Sequence, residues 1–172
     1  MSLQTSTKVP SLDKRRMRQL RSVFVEVCHR MEDVAIPETI VHGDMNCGNI
    51  LIGEGRCRFI DWSEAYLGNP LITLQHLLLL NKLENSQIRH SINLLLKQSY
   101  ARVWAASCDS NALEEGFLYA PILAAASTLY GRGDWLNSTT RNDPRRQSFA
   151  RTLARYMDRA AREPGLLEAL CH

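Results

Sequence analysis

Apolar side chains recur every three to four residues near the start of the chain, at Leu12, Met17, Leu20, Val23/Phe24, Val27 and Met31. That spacing predicts an amphipathic helix, with Pro10-Ser11 as its start signal and an end near Glu32-Asp33, ahead of Pro37. The basic residues between these positions, Lys14, Arg15, Arg16, Arg18 and Arg21, read as its solvated face. Residues 1–9 read as a loose lead-in. From Thr39 the period shortens. Thr39-Ile40-Val41 is a β-branched run, His42 to Gly48 is a polar loop, and Asn49-Ile50-Leu51-Ile52 and Cys57 to Trp62 are apolar strands around the turn signal Gly53-Glu54-Gly55-Arg56. This predicts a β-hairpin with a four-residue connection. Everything afterwards reads as helix: Pro70–Leu83, Gln87–Ser107, Ala112–Tyr130 with a bend at Pro121, and Pro144–Arg162. Gly131-Arg132-Gly133 is a helix stop. The fold class expected is α+β and predominantly helical, as one domain over 10–172.

Composition narrows this only slightly. A chain of 172 residues with 45% hydrophobic and 23% charged residues has the material for one core. Its 21 Lys+Arg against 18 Asp+Glu give a formal +3, too little for a long-range field, so neither nucleic acid nor a membrane surface is expected as a partner. Five widely spaced cysteines, Cys28, Cys47, Cys57, Cys108 and Cys171, lack any C-x-x-C pair. They read as reduced thiols, which suits a cytoplasmic protein. The two most apolar stretches, Leu71–Leu80 and Phe117–Tyr130, are too short to span a bilayer.

The chemistry concentrates in His42-Gly43-Asp44-Met45-Asn46-Cys47-Gly48-Asn49 and in Phe59-Ile60-Asp61-Trp62. If Gly53 to Arg56 form the turn, Ile52 faces Cys57, Asn49 faces Ile60 and Gly48 faces Asp61. Cross-strand neighbours lie about 5 Å apart. The ribbon therefore carries the Asn49 amide and the Asp61 carboxylate to one end, within reach of one divalent cation, and the loop can present Asp44 there. Phosphoryl transfer needs oxygen ligands for Mg²⁺ on nucleotide phosphates and a carboxylate that orients and deprotonates the attacking hydroxyl. Asp61 and Asn49 suit the first role and Asp44 the second. A second carboxylate at position 49 would repel the phosphates.

HGD-x-x-x-x-N, an apolar strand, a glycine turn and a strand ending Ile60-Asp61-Trp62 resemble the aminoglycoside phosphotransferase and choline kinase family, whose fold is protein-kinase-like. The resemblance implies that Asp44 is the catalytic aspartate, Asn49 a metal-ligating asparagine and Asp61 the aspartate holding nucleotide-bound Mg²⁺, with ATP as donor and a small-molecule hydroxyl as acceptor. It implies an orienting role for His42. Ser63 to Pro70 looks like the family's continuation into the next helix.

The chain departs from that pattern. The loop reads Met45-Asn46-Cys47-Gly48-Asn49 where the family commonly has Leu-His-Pro-Gly-Asn. Gly68-Asn69-Pro70 and Thr73 stand where the family usually has Gly-Asp-Pro and a further Asp, so the supporting residues are altered. The 41 residues before His42 hold one helix and no Gly-rich loop, strand lysine or partner glutamate. The resemblance covers a carboxy-terminal catalytic lobe only, and an isolated lobe is expected to be a poor kinase. The alternative is a catalytically inactive kinase-like binding or regulatory module. Glu114, Glu115 and Asp134 are candidate acceptor contacts. Arg145, Arg146, Arg151, Arg155, Arg159 and Arg162 disfavour a polycationic acceptor. Trp62 is expected to set the direction of Asp61, and Trp104 and Trp135 to anchor the core. Cys47 reads as an inert filler. Leu71, Leu74, Leu77, Leu78 and Leu80 are expected to pack inward, and a second copy could cover apolar surface that no amino-terminal lobe covers.

Overall fold

The structure, a computed structural model, describes residues 10–80, 83–130 and 142–171. It contains α1 (Lys14–Asp33), β1 (Thr39–Val41), a 3₁₀ turn (Cys47–Asn49), β2 (Ile50–Gly53), β3 (Arg56–Phe59), β4 (Tyr66–Gly68), α2 (Leu71–Leu80), α3 (Ser86–Trp104), α4 (Ser110–Tyr130), α5 (Pro144–Ala160) and α6 (Pro164–Cys171). The architecture is predominantly helical α+β, with two small antiparallel sheets. The chain divides into two compact units: Val34–Ala120, and Met1–Asp33 together with Pro121–His172. The expected lead-in over 1–9, the helix stop at Gly131-Arg132-Gly133, Asp134 and Trp135 lie outside the described residues. No helix among the described residues is long and apolar enough to cross a membrane. The five cysteines are free thiols.

In the unit that includes both termini, α1 buries Leu20 and Val27, seven residues apart and so on one face. It starts at Lys14 rather than at Pro10-Ser11. Asp13 caps it, the Oδ1 atom accepting the Arg16 backbone N–H at 2.7 Å and satisfying a donor that the helix leaves open. The helix α5 opens the same way, with Asp143 accepting from the Arg145 N–H at 2.8 Å and Pro144 in the first turn. It buries Ser148, Leu153 and Met157, and ends at Ala160. The helix α6 was not expected from the sequence. Its anchor is Leu166, 1% exposed. Arg16 on α1 binds Asp158 on α5, and Arg162 reaches the other oxygen of that carboxylate at 3.2 Å.

In the Val34–Ala120 unit, β1 pairs antiparallel with β4, with Ile40 opposite Leu67. The hairpin β2–β3 pairs Ile52 with Cys57, as expected, but its connection has two residues rather than four, because Gly53 pairs with Arg56. Glu54 and Gly55 take φ of +52° and +70°, both in the left-handed region, the conformation that lets a two-residue loop follow the strands' twist. Below these ribbons α2 buries six of its ten residues, among them Leu71, Leu74 and Leu79, while Leu77, Leu78 and Leu80 are only partly covered. Burying a leucine fully contributes roughly 1.5–3 kcal/mol, so α2 is a principal anchor of this unit. The helix α3 begins at Ser86, with Asn85 accepting from the Gln87 and Ile88 N–H groups, and ends at Trp104. The helix α4 begins at Ser110, two residues earlier than the sequence suggests, and runs through Pro121 as one element. Gly116 on α4 is a packing glycine. A Cβ there would lie 2.7 Å from Leu71 Cδ1 and 2.8 Å from Ile36 Cδ1.

The Asp158 cluster makes a pH prediction. Partial burial acts to raise the Asp158 pKa, but hydrogen bonds and charge from Arg16 and Arg162 outweigh it and hold the carboxyl below its ordinary value. Its stabilisation is complete above the unfolded-state carboxyl range and is lost as pH falls through the lower folded-state value. The substitution Asp158→Asn is expected to cost about 1 kcal/mol at neutral pH and to flatten the acid limb of stability, read by urea denaturation from pH 7 down to pH 2.

Candidate active site

The candidate site is assembled where the loop after β1 meets the end of the hairpin. His42 starts the loop and is 1% exposed. Its Nε2–H donates to the Ile60 carbonyl at 2.9 Å, its backbone N–H donates to Thr73 Oγ1 at 3.3 Å, and its ring lies 4.6 Å from the Trp62 ring. One residue thus ties the loop to the strand end through its ring and to α2 through its backbone. Its Nδ1 atom is buried without a hydrogen bond among the described residues, and leaving such a group unmet costs about 1–3 kcal/mol. The hydroxyl at Thr73, where the resembled family has a carboxylate, still accepts a hydrogen bond from the loop.

Gly43 follows with φ +76°, and a Cβ there would sit 2.1 Å from the Glu64 carbonyl oxygen. Only glycine lets the loop turn this close to the segment between β3 and β4. That turn brings Asp44 beside Asn49. Asn49 Nδ2 donates to the Asp44 carbonyl oxygen at 2.9 Å and lies 3.5 Å from Asp44 Oδ2. Asn46 stiffens the same loop, its Oδ1 accepting the Gly48 N–H at 2.8 Å and its Nδ2 donating to the Asp44 carbonyl at 3.3 Å. Two asparagines on one carbonyl supply the restraint that the absent proline would have given. Cys47 is exposed at the tip of this turn.

Gly48 belongs to the 3₁₀ turn rather than to a strand, so it does not pair with Asp61. The Ile60 N–H does donate to the Asn49 carbonyl at 3.0 Å, which places Asp61 one residue past the last rung. Asp61 itself takes φ +59°. Holding a residue other than glycine there costs of order 1 kcal/mol, and such strain persists only where neighbours fix it. The neighbours are visible: Ser63 Oγ donates to Asp61 Oδ1 at 2.7 Å, and Trp62 Nε1 donates to the Phe59 carbonyl at 3.0 Å. Trp62 is 46% exposed, so it braces the backbone on either side of Asp61 from the surface rather than from the core. The structure thus brings Asp44 and Asn49 into direct contact and sets Asp61 at the adjoining strand end.

Asn49 Oδ1 and the second oxygen of Asp61 have no hydrogen-bond partner among the described residues. Among those residues no three His, Cys, Asp or Glu side chains form a metal-binding group. An amide oxygen and one carboxylate nevertheless suit Mg²⁺, which keeps several waters and is commonly held by one or two protein oxygens plus substrate phosphates. Of the proposed acceptor contacts, Glu115 is committed internally, accepting from the Tyr119 hydroxyl at 2.7 Å, and Glu114 is exposed. Sequence reasoning placed Thr73 among the altered supporting residues without its bond to the His42 N–H, and it missed Ser63 as a partner of the site. A hydroxyl two residues from an aspartate is the only local signal for the second.

In comparison with known families, residues 1–70 match the RIO domain model. That family is an atypical kinase-like one, and the matched segment contains Asp44, Asn49 and Asp61. It supports kinase-like kinship and gives no support to the narrower assignment to aminoglycoside phosphotransferases and choline kinases. No curated protein and no solved structure matches the chain.

The loop geometry is expected to fail without Gly43. The substitution Gly43→Ala should cost about 2 kcal/mol or more, seen as a lower denaturation midpoint, because it combines left-handed strain with a backbone collision.

Proposed function

We propose that the chain carries the phosphoryl-transfer centre of a kinase-like phosphotransferase that uses ATP and Mg²⁺ to modify a hydroxyl group on a small molecule, in the manner of the aminoglycoside and choline kinases. The observation that carries the reading is the placing of Asp44 against Asn49, at the end of a hairpin whose next residue is Asp61. Support comes also from the RIO domain match over the same residues.

Asn49 Oδ1 and the Asp61 carboxylate would hold Mg²⁺. When bound, that ion supplies charge neutralisation to the nucleotide phosphates. Asp44 accepts the proton of the attacking hydroxyl, and its orientation is set by the Asn49 amide at 3.5 Å. His42 and Gly43 position this loop and touch no substrate. The exposed Phe59 on β3, two residues before Asp61, offers a surface for the flat face of a base.

Titrating MgATP into the chain and into Asp61→Ala is expected to show binding that requires Mg²⁺ and weakens at least tenfold in the variant. Equal metal-dependent binding in both would overturn the ligand assignment. Asp44→Asn is expected to keep MgATP binding and to lower transfer to a hydroxyl acceptor by about 10²–10⁴-fold, measured by ADP release. Nucleotide binding with no ADP release at any acceptor concentration would favour the inactive module instead.

A further inference from the structure

The helix α3 contributes no residue to the site and buries none of its 19 residues fully. Its packed side is defined by Tyr100, whose hydroxyl donates to the Pro70 carbonyl at 2.7 Å, by Trp104 at 6.2 Å from the Tyr100 ring, and by Lys97, which lies 5.6 Å over the Phe117 ring. A different face carries Ile88, Ile92, Leu95 and Val103, with Ser99 filling the remaining step. These positions are spaced at three and four residues and so form one stripe, about 22 Å long at the helical rise. They are 53%, 38%, 58% and 73% exposed. A largely apolar stripe of this length facing solvent, broken only at Ser99, is uncommon on a protein that works alone.

Charge decides what fits the stripe. No Asp or Glu occurs anywhere in α3, whereas Arg89 and Arg102 flank the stripe on its two sides. Arg89 contacts only the Leu83 carbonyl, at 3.4 Å, and Arg102 only Ser99 Oγ, at 3.2 Å, so neither guanidinium meets a carboxylate among the described residues. A second copy docking through the same stripe would bring arginines against arginines without compensation. A helix with an apolar seam and acidic flanks would instead bury the stripe and pair both guanidiniums, the helix-in-groove mode of recognition.

We propose that α3 is a docking surface for an amphipathic helix of acidic character supplied by a partner polypeptide. Leu95 and Val103 supply the apolar contact, and Arg89 and Arg102 set the partner's sign and register. This surface is independent of the phosphoryl-transfer reading, since it shares no residue with that site.

The probe is a synthetic helical peptide of about 16 residues with leucines at helical spacing and glutamates on both flanks, matched by one with lysines in place of the glutamates. Fluorescence anisotropy with the full chain is expected to show the acidic peptide binding at least tenfold more tightly than the basic one, with an affinity that falls as salt rises. Leu95→Asp and Val103→Asp, both at exposed positions, should each weaken the acidic peptide about tenfold or more while the far-ultraviolet circular dichroism stays unchanged. Arg102→Glu should reduce or invert the preference between the peptides. Equal binding of both peptides, or binding unaffected by Leu95→Asp, overturns the proposal. So does a dimer in sedimentation equilibrium that Leu95→Asp dissolves, since the stripe would then belong to a second copy.

Discussion

A single buried histidine holds the candidate site together. The ring of His42 connects the Ile60 carbonyl at the end of the hairpin with the Trp62 ring, its backbone N–H reaches the Thr73 hydroxyl on α2, and it does so from the position two residues before Asp44. Without that bond the Asp44 loop and the Asp61 strand end would be linked mainly by the ribbon β2–β3, whose residues apart from the half-buried Ile50 are exposed. A two-stranded ribbon has little independent stability in water. The tie between ribbon and helix therefore keeps the polar groups at a fixed separation, and the unmet Nδ1 of the ring is the cost of using so polar a residue as a brace.

The same economy explains the backbone conformations nearby. Gly43 and Asp61 both sit in the left-handed region, one on each side of the His42 contact. At the first, glycine removes the strain. At the second an aspartate is retained in spite of it, and Ser63 and Trp62 hold the chain in place around it. Where a structure spends strain on a residue that glycine could replace without cost, the side chain itself is what the position keeps.

How much of this the sequence disclosed varied with the range of the interactions. The hairpin register came out of local alternation and a turn signal, so Ile52 opposite Cys57 and Asn49 beside Ile60 were both legible. The turn itself was misjudged because Gly53 and Arg56 look like loop residues, whereas the two left-handed positions at Glu54-Gly55 let them pair. The strand β4 went unseen because three residues show no alternation and its partner β1 lies 25 or more residues away. The starts of α1 and α4 were misplaced because Asp13 and Asp109, rather than the nearest proline or apolar residue, accept the first open N–H groups. Long-range contacts such as Arg16 with Asp158 or His42 with Thr73 leave no trace in spacing, since each partner reads alone as a surface charge or a loop polar residue.

The hairpin has one further consequence, for behaviour in concentrated solution. As a sheet of only two strands it leaves the outer edge of each strand unpaired. β3 guards its edge with Arg56 and Arg58, but β2 is Ile50-Leu51-Ile52-Gly53, without a charge or a proline. Such an edge is a template for the backbone of another chain, and the lack of a gatekeeper makes β2 a place where crowding would convert this protein from a solute into an aggregate.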